Sequence, residues 1–235
     1  MPDAATVADA LLPSTPTAPG AVARPLADQR VDVPISQTSM VFEGYIWAVR
    51  QENFEYNGSS ITREYIDHPG AVAVLALDDQ DRVLLINQYR HPVQMREWEL
   101  PAGLLDIAGE NALVGAKREL AEEADVQATD WNVLTEFYTS PGGSNECLRV
   151  YLARGVSAAT DVFERTEEEA DIEIRWVPLD EVVDAVLARR LQNPGLIVGV
   201  LAAQVARSRG WASLAPADAP WPRHPRGRHL PDAEA

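Results

Sequence analysis

The sequence predicts an α+β fold with a sheet formed early in the chain, and three observations lead to this prediction. Residues rich in β-branched and aromatic side chains fill much of the first half, between positions 39 and 90. Residues 112–124 combine helix formers with an apolar stripe at helical spacing and contain no proline. Residues 180–209 repeat this spacing on both sides of an Asn-Pro-Gly break, which indicates further helical structure.

The first 68 residues divide into two parts. Residues 1–36 are rich in Ala, Pro, Thr and Asp without steady periodicity, so we expect a flexible N-terminal arm. Residues 37–68 contain the strand-like segments MVFEGYIWAVRQENFEY and ITREYIDH, with the turn sequence NGSS between them. They predict a small N-terminal antiparallel β subdomain.

Residues 69–207 form the predicted main domain. It begins with two strands, GAVAVLALDD and RVLLINQYR, joined by a DDQD turn. After the helix, NVLTEFYTS and LRVYLARGV predict two strands on either side of the loop PGGSNE, and EIRWVPL predicts another. Residues 208–235 are dominated by Pro, Ala and charged residues, so we expect a disordered C-terminal tail.

Charge and composition exclude several kinds of partner. The formal net charge of −16 repels nucleic-acid backbones and anionic lipid, so we expect neither nucleic-acid nor membrane binding. The chain has no apolar run of spanning length, and its first residues lack the basic region of a signal peptide. The cytoplasm is therefore the expected location. Cys147 is the only cysteine, which leaves no internal disulfide and no cysteine-based zinc cluster.

The predicted helix concentrates negative charge. In GAKRELAEEADV, the side chains of Glu119, Glu122 and Glu123 fall on one helix face. Like charges at this spacing repel by roughly 0.2–0.5 kcal/mol per pair, so the face is either solvated or a cation site. Gly115 lies one turn before Glu119, where glycine costs about 1 kcal/mol relative to alanine, and its missing side chain leaves space for another group.

The longer segment GLLDIAGENALVGAKRELAEEADV resembles the signature of the Nudix hydrolases. The pattern is filled by Gly103, Glu110, Arg118, Glu119, Leu120, Glu122, Glu123 and Val126. Two positions depart from it. Six residues rather than five separate Gly103 from Glu110, and Asp125 replaces the glycine that adopts the left-handed turn after the helix.

Three further segments, WELPAG, QYRHPV and SPGGSNE, are similar to the ADP-ribose pyrophosphatase branch of that family. The resemblance implies a mixed sheet packed between helices in an α/β/α sandwich. It also implies hydrolysis of ADP-ribose to AMP and ribose 5-phosphate with Mg²⁺ or Mn²⁺, by homodimers that exchange their N-terminal strands. The resemblance leaves two alternatives open: another nucleoside diphosphate sugar as substrate, or a non-catalytic module that binds ADP-ribose as a sensor.

The resemblance also suggests roles for individual residues. The expected metal ligands are Glu119, Glu122, Glu123 and the backbone carbonyl of Ala102, since hard cations prefer oxygen. Arg118 is expected to orient a carboxylate, with Glu110 as its structural partner. The catalytic assignments are Glu146 in SPGGSNE as the general base, together with Glu122 and Arg118.

Substrate contacts are expected from Arg90, with Arg63 and Glu99 as further candidates. Each of the three is alternatively a member of an ordinary ion pair. Trp47 and Trp98 could stack on adenine, although single tryptophans are more often packing residues.

Overall fold

The computed structural model describes residues 26–160, 163 and 171–224. Its strands are β1 (Ile35–Glu43), β2 (Ala48–Tyr56), β3 (Ser59–Asp67), β4 (Ala71–Ala76), β5 (Arg82–Arg90), β6 (Met95–Glu99), β7 (Ala102–Leu104), β8 (Val126–Tyr138), β9 (Cys147–Ala158), β10 (Glu173–Pro178) and β11 (Ala215–Pro216). Its helices are α1 (Ala112–Ala124), α2 (Leu179–Leu187) and α3 (Pro194–Ser208). Among the described residues, no helix is long and apolar enough to cross a membrane.

The N-terminal subdomain is a three-stranded antiparallel sheet in the order β1-β2-β3. Asn57 and Gly58 form the tight turn between β2 and β3, both with positive φ angles of 52° and 76°. Strand β1 is exposed along its whole length and begins at Ile35, two residues before the predicted boundary. Of the predicted arm, residues 1–25 lie outside the described part of the chain, and residues 26–34 contain no helix or strand.

The main domain contains two sheets, β10-β5-β6 and β11-β8-β9-β4-β7. Strands β4 and β9 pair in parallel, whereas the other described pairs of the larger sheet are antiparallel, so this sheet is mixed. Strands β4 and β5 are adjacent in sequence but belong to different sheets. A β-bridge between Leu77, which follows β4, and Val83 of β5 connects the two strands. Both are almost completely buried, because each has one core on either face.

Helices cover both faces of the mixed sheet, and alternate residues of β4 show this arrangement. Ala71, Ala73 and Leu75 lie on one face of β4. They pack into the core that also contains Leu196 and Val200 of α3 and Val182 of α2. Val72, Val74 and Ala76 lie on the other face. They pack into the core that also contains Ala116 and Leu120 of α1. The α+β fold with a mixed sheet between helices, as predicted, is confirmed.

Helix α1 begins and ends where the sequence predicts. The side chain of Asn111 caps its start by accepting a hydrogen bond from the Leu113 amide at 2.9 Å. Asp125 ends it in the left-handed conformation, with φ of 55°, and its amide bonds back to the Ala121 carbonyl at 3.0 Å. Aspartate therefore adopts the conformation that glycine provides in the family pattern.

The prediction of a disordered tail over residues 208–235 is wrong for the part that the structure describes, which ends at residue 224. Strand β11 pairs with β8. Beyond it, the carbonyls of Ala219 and Pro220 accept hydrogen bonds from the buried guanidinium of Arg149 at 2.9 and 3.1 Å. The ring of Trp221 lies 4.7 Å from that guanidinium. Residues 225–235 lie outside the described part of the chain.

We expect Trp221→Ala to lower the free energy of unfolding by about 1–3 kcal/mol, because it removes a cation–π contact and uncovers Arg149. Chemical denaturation monitored by circular dichroism measures this change. Val205→Ala, at an exposed position on α3, is the control and should stay within about 0.5 kcal/mol of the wild type. Equal stability of the two variants would show that the C-terminal segment is not bound to the domain.

Candidate active site

The acidic residues of α1 pack against the backbone of β7. A Cβ atom added to Gly103 would lie only 2.0 Å from the Glu119 carboxylate carbon, so this carboxylate occupies the space that glycine leaves. Glu123 is 4% exposed, and its Oε2 accepts a hydrogen bond from the Ala102 amide at 2.8 Å. Two of the predicted metal ligands, Glu119 and Glu123, therefore lie against Ala102 and Gly103 of β7.

Arg118 joins three carboxylates. Its guanidinium donates two hydrogen bonds to Glu110, at 3.0 and 3.1 Å, and one to Glu122 at 2.8 Å. The same guanidinium lies 2.7 Å from Glu119. The hydrogen bonds from Arg118 hold the pKa of Glu110 below its usual value, and Glu110 in turn raises the pKa of Arg118. Arg118 thus contacts Glu110 as expected and also separates two carboxylates of the helix.

Gly115 allows this arrangement. A Cβ at this position would lie 2.9 Å from Glu110 Oε2 and 3.3 Å from the side chain of Leu105. The space that the sequence analysis noted at Gly115 is therefore filled by Glu110. Glu110 is thereby fixed against the helix. The loop between Gly103 and Glu110, which is one residue longer than in the family pattern, ends at the residue that forms the ion pair with Arg118.

The chemistry of these side chains suits a hard divalent cation. Three carboxylates project from adjacent helix positions, and the backbone of Ala102 and Gly103 lies directly beside them. Within residues 26–160, 163 and 171–224, no group of three His, Cys, Asp or Glu side chains already has the spacing of a metal site. Arg118 instead provides the positive charge between Glu119 and Glu122.

Glu146 lies in the loop between β8 and β9, and both of its carboxylate oxygens have a neighbour. Thr139 donates a hydrogen bond to Oε2. Oε1 lies 3.6 Å from His68 Nε2, and the side chain of His68 is only 10% exposed. The Gly70 amide donates to His68 Nδ1 at 3.1 Å, so the proton of the neutral imidazole is on Nε2, facing Glu146.

The pKa of His68 supports a neutral ring. Burial lowers this pKa, and the charge of Glu146 opposes the shift without cancelling it. Glu146 therefore has a polar but uncharged neighbour at neutral pH.

Arg90 and Glu99, predicted to contact substrate, bind each other. Two parallel hydrogen bonds of 2.8 and 2.7 Å join the guanidinium to the carboxylate. Glu99 is 2% exposed, whereas the Arg90 side chain is 41% exposed. Of the two, only Arg90 has an exposed side chain that can reach a ligand. Nearby, burial raises the pKa of Glu97, and the charge of Glu99 adds to this shift.

The remaining candidates are not brought to the acidic helix. Arg63 lies on β3, and its guanidinium donates to the carbonyl of Thr62 at 2.8 Å. No hydrogen bond or ion pair within the described residues joins it to α1 or to Glu146. Trp98 packs against the core below β6, and Trp47 lies 41% exposed in the turn before β2. Trp98 is therefore a packing residue in this chain.

The sequence analysis missed the residues that surround Glu146. Asn145 lies in the segment SPGGSNE, but no local pattern gives it, Thr139 or His68 a contact with Glu146 or its neighbours. His68 lies about eighty positions before this loop in the sequence. Its amide donates a hydrogen bond to Asn145, and its ring lies beside Glu146. An interaction over that distance leaves no periodic signal in a single sequence.

The chain is similar to several known proteins. The NUDIX domain family matches residues 67–195. An ADP-ribose pyrophosphatase from Mycobacterium tuberculosis is 44% identical over 76% of this chain and 86% of that protein. An ADP-ribose pyrophosphatase from Bacillus subtilis is 36% identical over 65% of this chain and 82% of that protein. A solved structure of an ADP compounds hydrolase has the same fold, with a TM-score of 0.64 at 19% identity over 78% of this chain and 99% of that one.

We expect Gly103→Ala to weaken binding of Mn²⁺ by more than about tenfold, because its methyl group would displace the Glu119 carboxylate. Titration followed by electron paramagnetic resonance of free Mn²⁺ measures this affinity. Gly210→Ala is the matched control: its φ of 63° strains an alanine, but no atom lies within 4 Å of the new methyl group. Unchanged Mn²⁺ affinity in Gly103→Ala would separate Glu119 from any cation site.

Proposed function

This chain belongs to the Nudix family of hydrolases, and from that premise we propose that it hydrolyses the pyrophosphate bond of ADP-ribose to AMP and ribose 5-phosphate. The observation that carries the proposal is the packing of the acidic face of α1 against the backbone of Ala102 and Gly103. The similarity to two ADP-ribose pyrophosphatases supports ADP-ribose as the substrate.

Nudix hydrolases generally require a divalent metal, and we propose Mg²⁺ or Mn²⁺ here. Glu119, Glu122, Glu123 and the carbonyl of Ala102 would hold it. When bound, such a cation neutralises the phosphate oxygens and favours attack on phosphorus. Arg118 keeps Glu110 in place and sets the orientation of the carboxylates that it contacts.

Glu146 acts as the general base in this proposal. It accepts a proton from the attacking water at Oε1, since Oε2 already accepts a hydrogen bond from Thr139. The water oxygen forms a bond to one phosphorus, and the bond from that phosphorus to the bridging oxygen breaks. The bridging oxygen leaves with the other phosphate, so the products are two phosphomonoesters.

Arg90 is the proposed contact to a substrate phosphate or ribose, because its side chain is exposed while its position is fixed by Glu99. Glu99 is buried and therefore acts through Arg90 rather than on the substrate.

A panel of nucleoside diphosphate derivatives tests the proposal. Each compound is incubated with the protein and Mg²⁺, and a phosphatase then releases inorganic phosphate from monoester products. ADP-ribose should give the highest kcat/KM. A higher value for another nucleoside diphosphate sugar would correct the substrate, and ADP-ribose binding in calorimetry without turnover of any compound would identify a sensor module.

We also propose that the protein is a cytoplasmic homodimer with exchanged N-terminal strands. The N-terminal sheet presents large apolar side chains to solvent: Met40, Val41, Phe42, Tyr45, Ile46 and Trp47 are all at least 41% exposed. Strand β1 is also a free edge of that sheet. A second copy would cover both the apolar side chains and the unpaired edge. The single buried cysteine is compatible with a reducing compartment.

We expect a dimer mass from light scattering at micromolar concentration and a monomer mass for Phe42→Glu. A charge on β1 would have to be buried without a partner in the dimer, which disfavours association. Leu187→Glu, at a position of similar exposure at the end of α2, should remain a dimer. A wild-type monomer, or a dimeric Phe42→Glu protein, would show that β1 does not form the interface.

We expect Glu123→Gln and Glu146→Gln to lose activity in different ways. Glutamine keeps the shape of glutamate but removes the charge that binds a hard cation, so Glu123→Gln should weaken metal activation and recover partly at high metal. Glu146→Gln should lower kcat by roughly 10²–10⁴ at every metal concentration, because it removes the proton acceptor. Glu173→Gln, an exposed change on β10, serves as the control for both.

Initial rates measured across a metal titration separate the two effects. A Glu146→Gln protein with nearly normal kcat would remove Glu146 from the proposed mechanism. Normal activation of Glu123→Gln at low metal would instead contradict the proposed metal ligands.

A further inference from the structure

The loop that carries Glu146 is bound to the end of β3. The Ile66 amide donates to the Gly143 carbonyl at 2.9 Å, and the Asn145 amide donates to the Ile66 carbonyl at 3.1 Å. Ile66 and Ser144 thereby form a parallel bridge. The N-terminal sheet and this loop are joined by backbone hydrogen bonds on both sides of one residue.

The side chain of Asn145 extends this connection in two directions. Its Oδ1 accepts a hydrogen bond from the His68 amide at 2.8 Å, and its Nδ2 donates to Asp67 Oδ1 at 2.7 Å. The other oxygen of Asp67 accepts from Arg50 Nε at 2.8 Å. Asp67 is therefore fixed from β2, and Asn145 is fixed by Asp67.

These contacts determine where the Glu146 carboxylate lies. Asn145 directly precedes Glu146, and Cys147 directly follows it as the first residue of β9. Asn145 also holds the backbone of His68, whose ring faces Glu146 Oε1 at 3.6 Å. The amide side chain of Asn145 thus fixes the residue directly before Glu146 and the backbone of His68, which is one neighbour of its carboxylate.

We propose that Asn145 is a positioning residue, which fixes the general base by binding the 139–146 loop to Asp67 and His68 at the end of β3. This inference rests on the proposed role of Glu146 in hydrolysis. Asn145 suits the task because one amide group supplies the acceptor for the His68 amide and the donor for the Asp67 carboxylate.

An exchange of the two side chains tests the proposal. Asn145→Asp places two carboxylates against each other, so it breaks the contact with Asp67 while keeping the acceptor for His68. Adding Asp67→Asn restores one donor and one acceptor across the same gap, and the new asparagine oxygen still accepts from Arg50. Asn57→Asp, in the exposed turn between β2 and β3, makes the same chemical change at a site where aspartate is tolerated.

We expect Asn145→Asp to lower kcat by roughly 10–100-fold, since small misplacement of a reacting group has an effect of this size. KM and the metal concentration for half activation should change by less than about twofold, because the acidic helix is not touched. The exchanged pair should recover most of kcat. In a Glu146→Gln background, Asn145→Asp should cause no further loss, since its effect acts through Glu146.

Hydrogen exchange of the full-length protein gives a measurement that does not depend on activity. Amides of residues 143–147 should exchange faster in Asn145→Asp and at the wild-type rate in the exchanged pair and in Asn57→Asp. Unchanged exchange in Asn145→Asp, a kcat within twofold of wild type, or an equal further loss in the Glu146→Gln background would each overturn the proposal. Failure of the wild-type protein to hydrolyse ADP-ribose would overturn only the proposed substrate, and the variants are then compared on the compound that it does hydrolyse.

Discussion

The guanidinium of Arg118 is the group on which the arrangement of this site depends. It contacts the carboxylates of Glu110, Glu119 and Glu122, which belong to one helix and to the loop before it. The side chain of Glu110 is only 9% exposed. Loss of the Arg118 guanidinium would therefore leave a buried carboxylate without the positive charge that compensates it. The position of the loop leading into α1 and the separation of the acidic side chains of the helix therefore both depend on one residue.

The second part of the site is organised by contacts of a different kind. The acidic helix is held by ion pairs, whereas the Glu146 loop is held by backbone hydrogen bonds to Ile66 and by the neutral amide side chain of Asn145. Such contacts add no positive charge beside the proposed general base, so they do not stabilise its carboxylate against accepting a proton. The neutral imidazole of His68 fits the same requirement, because a protonated ring at this position would bind the carboxylate in an ion pair.

The sequence predicted the local features of this structure and missed the distant ones. The bounds of α1, the left-handed Asp125 and the space above Gly115 were predictable because each depends on residues within one or two helical turns. The packing of residues 209–224 was not, because it depends on Arg149, a buried cation with no signal in its own segment. The division of β4 and β5 between two sheets was missed for the same reason, since both have the same apolar pattern.

The distances along the chain between bonded partners differ greatly in the two parts of the site. Ala102 and Glu123 are 21 residues apart, whereas Asn145 and Asp67 are 78 apart. Contacts between distant segments require closure of a long loop and form more slowly than local ones. We therefore expect the loop that carries Glu146 to form after the contact between α1 and β7. A chain that has folded only locally would then hold the carboxylates of α1 in place before the proposed general base.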